Sequence, residues 1–199
     1  YETTIQETMG DQVGITYFFD VFNNMGLKRK SNIGYAFLKF PNGLEIPALT
    51  PGTSVNNYEI VSVPLSLQDN SVYSVLDELG SYDNTKWRLF HYTPTGLLEF
   101  PADFTTFDKG KGYWLIVRNQ VTLNTGTGTT HSGSFNGYTI SLRQGWTQIG
   151  NPYTFNVSWD DILAANPEDT AVIGNLRVYK QGVFRSEERR VGKECRSRW

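Results

Sequence analysis

The chain has 199 residues, of which 39 % are hydrophobic and 19 % are charged, with 18 lysines and arginines against 20 aspartates and glutamates. This length permits one domain of ordinary size or a domain with a fragment of another, and the balance of charge argues against a strongly basic, nucleic-acid-binding chain. The sequence contains no run of eighteen apolar residues, which excludes a transmembrane helix, and its one cysteine, Cys195, excludes a disulfide framework.

Residues 1–40 contain a predicted β-hairpin. In the stretch GITYFFDVF, Ile15, Tyr17, Phe19 and Val21 share one face of a pattern with period two, which is typical of a strand. The tetrapeptide NNMG follows as a turn in which Gly26 is free to adopt a positive φ. The stretch YAFLKF then predicts the return strand.

This segment resembles the last two strands of a fibronectin type III or immunoglobulin-like domain. The residues at the family's spacing are Thr16, Tyr17, Phe19, Val21, Asn23, Gly26 and Ser31. The resemblance implies that Tyr17 supplies a tyrosine corner and that the rest of the sandwich precedes Tyr1 in the intact protein. Residues 1–40 are therefore expected to be the C-terminal part of such a domain.

The next segment, 41–57, is predicted to be a linker. Its sequence PNGLEIPALTPGTSVNN holds three prolines and two glycines, which favour extended and turn conformations over regular structure.

From Tyr58 onward, the sequence pattern repeats. YEIVSVPLSL, VYSVLDELG and WRLFHY are matched later by WTQIGNPYTF, WDDILAANP and LRVYKQ. The equivalent pairs are Tyr58 with Trp146, Pro64 with Pro152, Leu76 with Leu163, and Arg88 with Arg177, at offsets of 87 to 89 residues. The pattern predicts a duplicated β module over 58–184, with copy one at 58–123 and a truncated copy two at 136–184.

Each copy is predicted to contain a strand, a short helix and another strand. Ser71 and Ser158 are candidate helix N-caps, and Gly80 is a candidate C-terminal stop. In copy one, the uncharged run 113–117 predicts a central strand covered on both faces, with Trp114 in the core. The fold class is thus all-β with two short helices: the end of a sandwich followed by a duplicated β-sandwich, or by one barrel-like body with pseudo-twofold symmetry.

The last fifteen residues, RSEERRVGKECRSRW, differ sharply in composition from everything before them. Residues 185–199 hold six basic and three acidic residues, and without them the net charge is −5. A basic tail can bind nucleic acid or acidic membranes, but this string resembles the in-frame translation of a sequencing adapter and interrupts the second repeat. We interpret it as non-native, and expect both native termini to be missing and 185–199 to lie outside the packed body, with no hydrophobic contact of Val191 or Trp199 with the core.

Titratable residues show no catalytic or metal-binding spacing. His91 and His131 have no second histidine or carboxylate at metal-ligand spacing, and no G-x-S-x-G nucleophile elbow is present. The glycines of DKGKGYW lack the spacing of a phosphate-binding loop, so a tight turn held by Gly112 is expected there, with Lys109 and Lys111 facing water. The acidic pairs, Asp77 with Glu78 and Asp160 with Asp161, are explained by helix ends and solvated faces. We therefore expect no catalytic, cofactor or metal residues, and no enzyme activity.

Aromatic residues are the remaining candidates for ligand binding. A sugar-stacking platform would need at least two exposed, coplanar rings, whereas large rings mostly fill cores. The candidate rings are Trp87, Tyr113, Trp114, Trp146, Tyr153 and Trp159.

Four stretches of the chain resemble modules that follow fibronectin- or immunoglobulin-like domains in large secreted and cell-surface bacterial proteins. They are YEIVSVPLSL, KWRLFHY, GKGYWLIV and GWTQIGNPYTFNVSWDDI. This resemblance implies an exported, extracellular accessory module, structural or adhesive, whose partners are other domains of the same protein and possibly a glycan or surface polymer. A carbohydrate-binding module attached to an extracellular hydrolase is the alternative. Neither nucleic acid nor a cofactor is expected as a partner.

Overall fold

The computed structural model describes residues 15–131, 137–169, 176–180 and 182–186. Within these ranges the backbone forms several small sheets, in which every pair of strands is antiparallel, and two short α-helices. The all-β class predicted from the period-two patterns is confirmed.

The N-terminal strands form a nested hairpin. They are β1 (Ile15–Tyr17), β2 (Asp20–Phe22), β3 (Lys28–Lys30) and β4 (Gly34–Ala36). Strand β2 pairs with β3, and β1 pairs with β4. At the predicted turn, the Gly26 amide donates to the Asn23 carbonyl at 3.0 Å, and Gly26 has a φ of 76°.

The return strand differs from the sequence prediction. It begins at Lys28, directly after the turn, and YAFLKF is divided between β4 and the later strand β5 (Lys39–Phe40). A tight turn places the residues that immediately follow it opposite Phe22, so the chain pairs earlier than the hydrophobic pattern indicates. Tyr17 packs its ring over Gly34, and the segment upstream, where a tyrosine corner would find its partner, lies outside the described residues.

The largest sheet has four strands. Its members are β7 (Glu59–Val61), β9 (Trp87–Thr93), β10 (Gly96–Glu99) and β11 (Tyr113–Val117), in the order β10–β9–β11–β7. Strand β11 is central, as the uncharged run predicted, because it pairs with β9 on one side and β7 on the other.

Two smaller sheets join this body to earlier parts of the chain, one to the segment 41–57 predicted as a linker and one to Lys39–Phe40 of the predicted sandwich fragment. Strand β6 (Glu45–Ile46) pairs with β12 (Leu123–Asn124), and β13 (Gly128–Thr129) lies between β5 and β8 (Ser66–Leu67). Ile46 and Leu49, which belong to 41–57, are both buried in the core. Segment 41–57 therefore packs against the module as part of its body.

The two helices start near the predicted caps. Helix α1 (Val72–Val75) begins after Ser71, whose side chain accepts a hydrogen bond from the Ser74 amide, and a 3-10 turn then ends at Gly80 with φ 68°. Helix α2 (Trp159–Ala165) begins after Ser158, whose side chain makes no capping bond. A further 3-10 turn spans Val55–Asn57.

Elements of the second repeat follow the order of the first. Ile149 bridges to Lys111, α2 comes next, and the hairpin of β14 (Arg177–Lys180) and β15 (Val183–Ser186) corresponds in order to β9 and β10. Strand β15 includes Arg185 and Ser186, which pair with β14, so these two residues do not lie outside the body as expected for 185–199. The rest of that segment, with Val191 and Trp199, lies outside the described residues. The duplication itself stays a prediction.

The hydrophobic core of the described residues lies between Ile46 and Leu123. Among the described residues, its members are Ile46, Leu49, Val61, Val63, Leu65, Val72, Val75, Leu76, Trp87, Leu89, Phe100, Phe107, Tyr113, Leu115, Val117 and Leu123. On β11 the side chains of Tyr113, Leu115 and Val117 belong to this core, as expected for one face of a strand.

The opposite face of β11 is partly covered by the β14–β15 hairpin, and this corrects the expectation for Trp114. Its ring is half-buried, meeting Tyr179 at 4.5 Å between centroids and Phe184 at 6.1 Å, both edge-on. Trp114 points away from the core because it alternates with Tyr113, and the hairpin β14–β15 covers it only in part.

None of the described helices is long and apolar enough to cross a bilayer.

Candidate functional site

The DKGKG stretch forms the tight turn that the sequence predicted. The Lys111 amide donates to the Asp108 carbonyl at 3.2 Å, and Gly110 has a φ of 79°, the value that the third residue of a type II turn requires. A Cβ at Gly110 would lie 2.7 Å from the Tyr138 ring. The turn therefore needs glycine at this position for both its backbone conformation and its close packing.

The two lysines of this turn have different surroundings. Lys111 is exposed, and its Nζ lies 2.6 Å from an oxygen of Asp108. Lys109 does not simply face water as expected: it is half-buried, and its Nζ lies 3.4 Å from the Ser66 hydroxyl and 5.7 Å from the centre of the Tyr138 ring. Burial lowers the pKa of the Lys109 amine to about 8.

Lys109 lines a cleft of about 190 Å³ beside β8. The other lining residues are Val63, Leu65, Ser66, Leu67, Asn70 and Phe107. Two hydrogen bonds join Asn70 and Phe107 in the wall of the cleft. Asn70 Nδ2 donates to the Phe107 carbonyl at 2.9 Å, and the Phe107 amide donates to the Asn70 carbonyl at 2.8 Å. This arrangement combines an ammonium, a hydroxyl and an amide with apolar walls.

The sequence carried no sign of this cleft. Tyr138, whose ring centre lies 5.7 Å from Lys109 Nζ and whose hydroxyl donates to the Lys109 carbonyl at 2.7 Å, is 29 residues further along the chain. Ser66 is 43 residues before Lys109. Only the folded chain brings these groups to one place.

Both histidines make contacts with backbone carbonyls. His91 Nδ1 lies 3.0 Å from the Gly112 oxygen, and His131 Nε2 lies 3.3 Å from the Gly137 oxygen. Since a carbonyl only accepts, each of these nitrogens must be the donor. Burial lowers the pKa of His91, which favours its neutral ring.

The acidic pairs lie at the ends of helical turns, as expected. Asp160 and Asp161 are exposed in the first turn of α2. Glu78 accepts hydrogen bonds from the backbone and the side-chain amide of Asn124, and burial raises its pKa. The described part of the chain contains no group of three or more histidine, cysteine, aspartate or glutamate residues that could hold a metal ion.

The candidate aromatic rings are mostly covered. Trp87 and Tyr113 are each 2 % exposed, whereas Trp114, Tyr153 and Trp159 are half-buried. Trp146 is 59 % exposed, and the Arg177 guanidinium lies 5.3 Å from the centre of its ring. A sugar-stacking platform would need two exposed rings among five candidates, and one of the five, Trp146, is exposed. The other four are Trp87, Tyr113, Trp114 and Trp159.

An ionic network on the large sheet was missed by the sequence analysis. Arg88 Nε and Nη2 lie 2.8 and 3.0 Å from the two carboxylate oxygens of Glu99, and the Tyr82 hydroxyl donates to the same carboxylate at 2.9 Å. The Arg88 hydrogen bonds lower the pKa of Glu99 and raise that of Arg88. The opposite charges on two successive segments, WRLFHY and GLLEF, were the available signal, because neighbouring strands bring such pairs within reach.

Comparisons with protein-family models, curated proteins and solved structures give no match for this chain.

Proposed function

We propose that this chain is a non-catalytic accessory module, structural or adhesive, of a secreted or cell-surface bacterial protein. The observation that carries the proposal is the placement of the two histidines. His91 and His131 each direct a ring nitrogen to a backbone carbonyl, at 3.0 and 3.3 Å. Each contact uses one ring nitrogen to join the side chain to another part of the backbone, which is a structural use of these histidines.

The charged pairs also support a structural role. The bidentate contact between Arg88 and Glu99 ties strand β9 to β10, and the contact between Lys111 and Asp108 closes a turn. Each pair joins neighbouring pieces of backbone and lies on the surface of the sheet or turn. These groups therefore contribute to the shape of the module.

The exposed apolar side chains of the N-terminal hairpin fit the proposed place beside a sandwich domain. Phe19, Val21 and Phe22 are more than half exposed on β2 and next to it. Phe19 and Val21 share one face, and in a fibronectin- or immunoglobulin-like sandwich a second sheet of the same domain packs over such a face. The proposed cover for these side chains is therefore the rest of that sandwich domain.

The absence of catalysis can be tested with the purified chain. Chromogenic ester, peptide and glycoside substrates should be cleaved no faster with the native chain than with a heat-denatured sample. The variants His91→Asn and His131→Asn are assayed in parallel. Turnover by the native chain that either substitution abolishes would overturn the non-catalytic proposal.

The adhesive role is tested by retention on surfaces. The chain is fused to a fluorescent protein and incubated with intact bacterial cells, purified cell-wall polymer and insoluble polysaccharides, with the fluorescent protein alone as the control. Retention on cells that survives Trp146→Ala supports adhesion through the body of the module. Retention on polysaccharide that Trp146→Ala abolishes would instead establish the carbohydrate-binding alternative, because Trp146 is the exposed ring among the five candidates.

A further inference from the structure

The cleft beside strand β8 has the composition of a small ligand site. Ligand sites combine apolar walls with a few convergent polar groups and commonly enclose about 300 to 1,000 Å³. Val63, Leu67 and Phe107 provide apolar walls, while Ser66 and Lys109 provide polar atoms. With about 190 Å³, the cleft has room for a ligand smaller than a typical drug or cofactor.

The positive charge of the Lys109 ammonium has weak partners in this cleft. Its described contacts are the neutral Ser66 hydroxyl, at the long distance of 3.4 Å, and the face of the Tyr138 ring. The nearby carboxylate, Asp108, is engaged with Lys111 at 2.6 Å. Burial alone lowers the pKa of Lys109, with no charged neighbour offsetting it. A ligand that brings a negative charge would supply the missing partner.

We propose that this cleft binds a small organic monoanion, a short-chain carboxylate, whose oxygens contact Lys109 Nζ and the Ser66 hydroxyl while its hydrocarbon chain lies against Leu67 and Phe107. A carboxylate fits better than a phosphate group, because one ammonium and one hydroxyl offer few donors, and phosphate sites usually recruit arginine forks or several backbone amides. The apolar walls favour a hydrocarbon chain over a fully hydrated ion. This site is independent of the accessory role proposed above.

The proposal is tested with butyrate as the probe and butyramide as its neutral analogue of the same shape. The side-chain NMR signals of Lys109 are assigned with Lys109→Met, and the unmodified protein is then titrated with each compound. Butyrate should shift the Lys109 signals saturably, and butyramide should bind about tenfold more weakly or worse, since the negative charge opposite the Lys109 ammonium is lost. Inorganic phosphate, which brings charge without an apolar chain, should also bind more weakly than butyrate.

The matched control is Lys111→Met, on the same turn but exposed and paired with Asp108. This variant should bind butyrate like the unmodified protein, whereas Lys109→Met should lose the saturable change at neighbouring groups such as the Phe107 ring. Equal shifts at both lysines, equal binding of butyrate and butyramide, or no saturable shift in the unmodified protein would each overturn the proposal. None of these results would bear on whether the module is catalytic or adhesive.

Discussion

At the scale of single residues, Lys109 and Lys111 illustrate how two identical side chains two positions apart acquire different chemistry. Lys111 keeps an ordinary exposed ion pair with Asp108. The Lys109 amine is half-buried under Tyr138, and its pKa falls to about 8. Burial penalises the charged form of an amine, so the difference arises from what covers each side chain.

The tryptophans differ in the same way, which gives a matched test of stability. Trp87 is 2 % exposed and stacks on Phe100 with 5.5 Å between ring centroids. We expect Trp87→Ala to lower the free energy of unfolding by about 3 to 5 kcal/mol, the usual cost of removing a buried large aromatic ring. Trp146→Ala, at an exposed site, should change it by about 0.5 kcal/mol or less.

Urea unfolding followed by circular dichroism measures both values. Similar losses for Trp87→Ala and Trp146→Ala would show that the core described here is not the main source of stability.

Acid pH provides a test of the Arg88–Glu99 pair. The pKa of Glu99 is lower in the folded chain than its usual value of 4.5 because Arg88 donates two hydrogen bonds to it. A carboxyl group whose pKa is lowered by folding stabilises the fold above its unfolded pKa, and this contribution is lost as pH falls through the folded pKa. Protonation of Glu99 below about pH 4.5 should therefore remove its share of stability.

The substitution Glu99→Gln should reduce the free energy of unfolding at pH 7 by about 0.5 to 1 kcal/mol, the range for a partly exposed pair. It should also flatten the decline of melting temperature below the usual carboxyl pKa. Glu45→Gln, at an exposed position of β6, is the control. An unchanged acid profile in Glu99→Gln would contradict the assigned role of the pair.

At the scale of elements, the turns are defined by glycines whose surroundings differ. Gly26 and Gly110 have almost the same φ, 76° and 79°. A Cβ added at Gly26 meets nothing within 4 Å, whereas one at Gly110 lies 2.7 Å from the Tyr138 ring. Backbone conformation is therefore the shared requirement, and close packing is an additional one at Gly110.

This difference predicts the relative cost of alanine at the two turns. Gly26→Ala should destabilise the chain by about 1 to 2 kcal/mol through its left-handed backbone alone. Gly110→Ala should cost more, because Tyr138 must also move and its hydrogen bond to the Lys109 carbonyl is disturbed. Thermal unfolding of both variants gives the comparison, and equal melting temperatures would contradict the packing of Tyr138 on this turn.

At the scale of the whole molecule, the hydrophobic core lies early in the described chain, and a later hairpin packs on the other face of β11. The described core runs from Ile46 to Leu123, so it includes no residue of the β14–β15 hairpin. The contact between β11 and this hairpin includes Trp114 and the rings of Tyr179 and Phe184. The hairpin thus covers part of a face that the four-stranded sheet alone would leave open.

A substitution of Tyr179 should weaken the contact between Trp114 and the β14–β15 hairpin. Its ring lies edge-on to Trp114 at 4.5 Å between centroids, a geometry that contributes about 0.5 to 1.5 kcal/mol beyond the area it buries. Tyr179→Ala should lower the melting temperature and shift tryptophan fluorescence to longer wavelength, because Trp114 becomes more exposed to water. Val183→Ala, on the same hairpin but 54 % exposed, should change neither measurement. Identical melting temperatures and fluorescence of the two variants would argue against packing of this hairpin on Trp114.

Local pattern in the sequence was enough to determine the all-β class, the central position of the run 113–117, the turn at Gly26 and a turn in DKGKG, although the positive-φ glycine of that turn is Gly110 and not Gly112 as expected. These features depend on side-chain alternation and on backbone conformations that glycine alone adopts readily, both of which are properties of neighbouring residues. The helix starts at Ser71 and Ser158 were predictable for the same reason.

Only the tertiary structure decided which predicted surface is covered and by what. The alternation along β11 placed Tyr113 and Trp114 on opposite faces, but which face met the core depended on strands and helices distant in sequence. The segment 41–57 joined the body because β6 pairs with β12, far along the chain. Lys109 acquired its cleft from Ser66 and Tyr138 for the same physical reason: burial is set by long-range packing, which a local pattern does not contain.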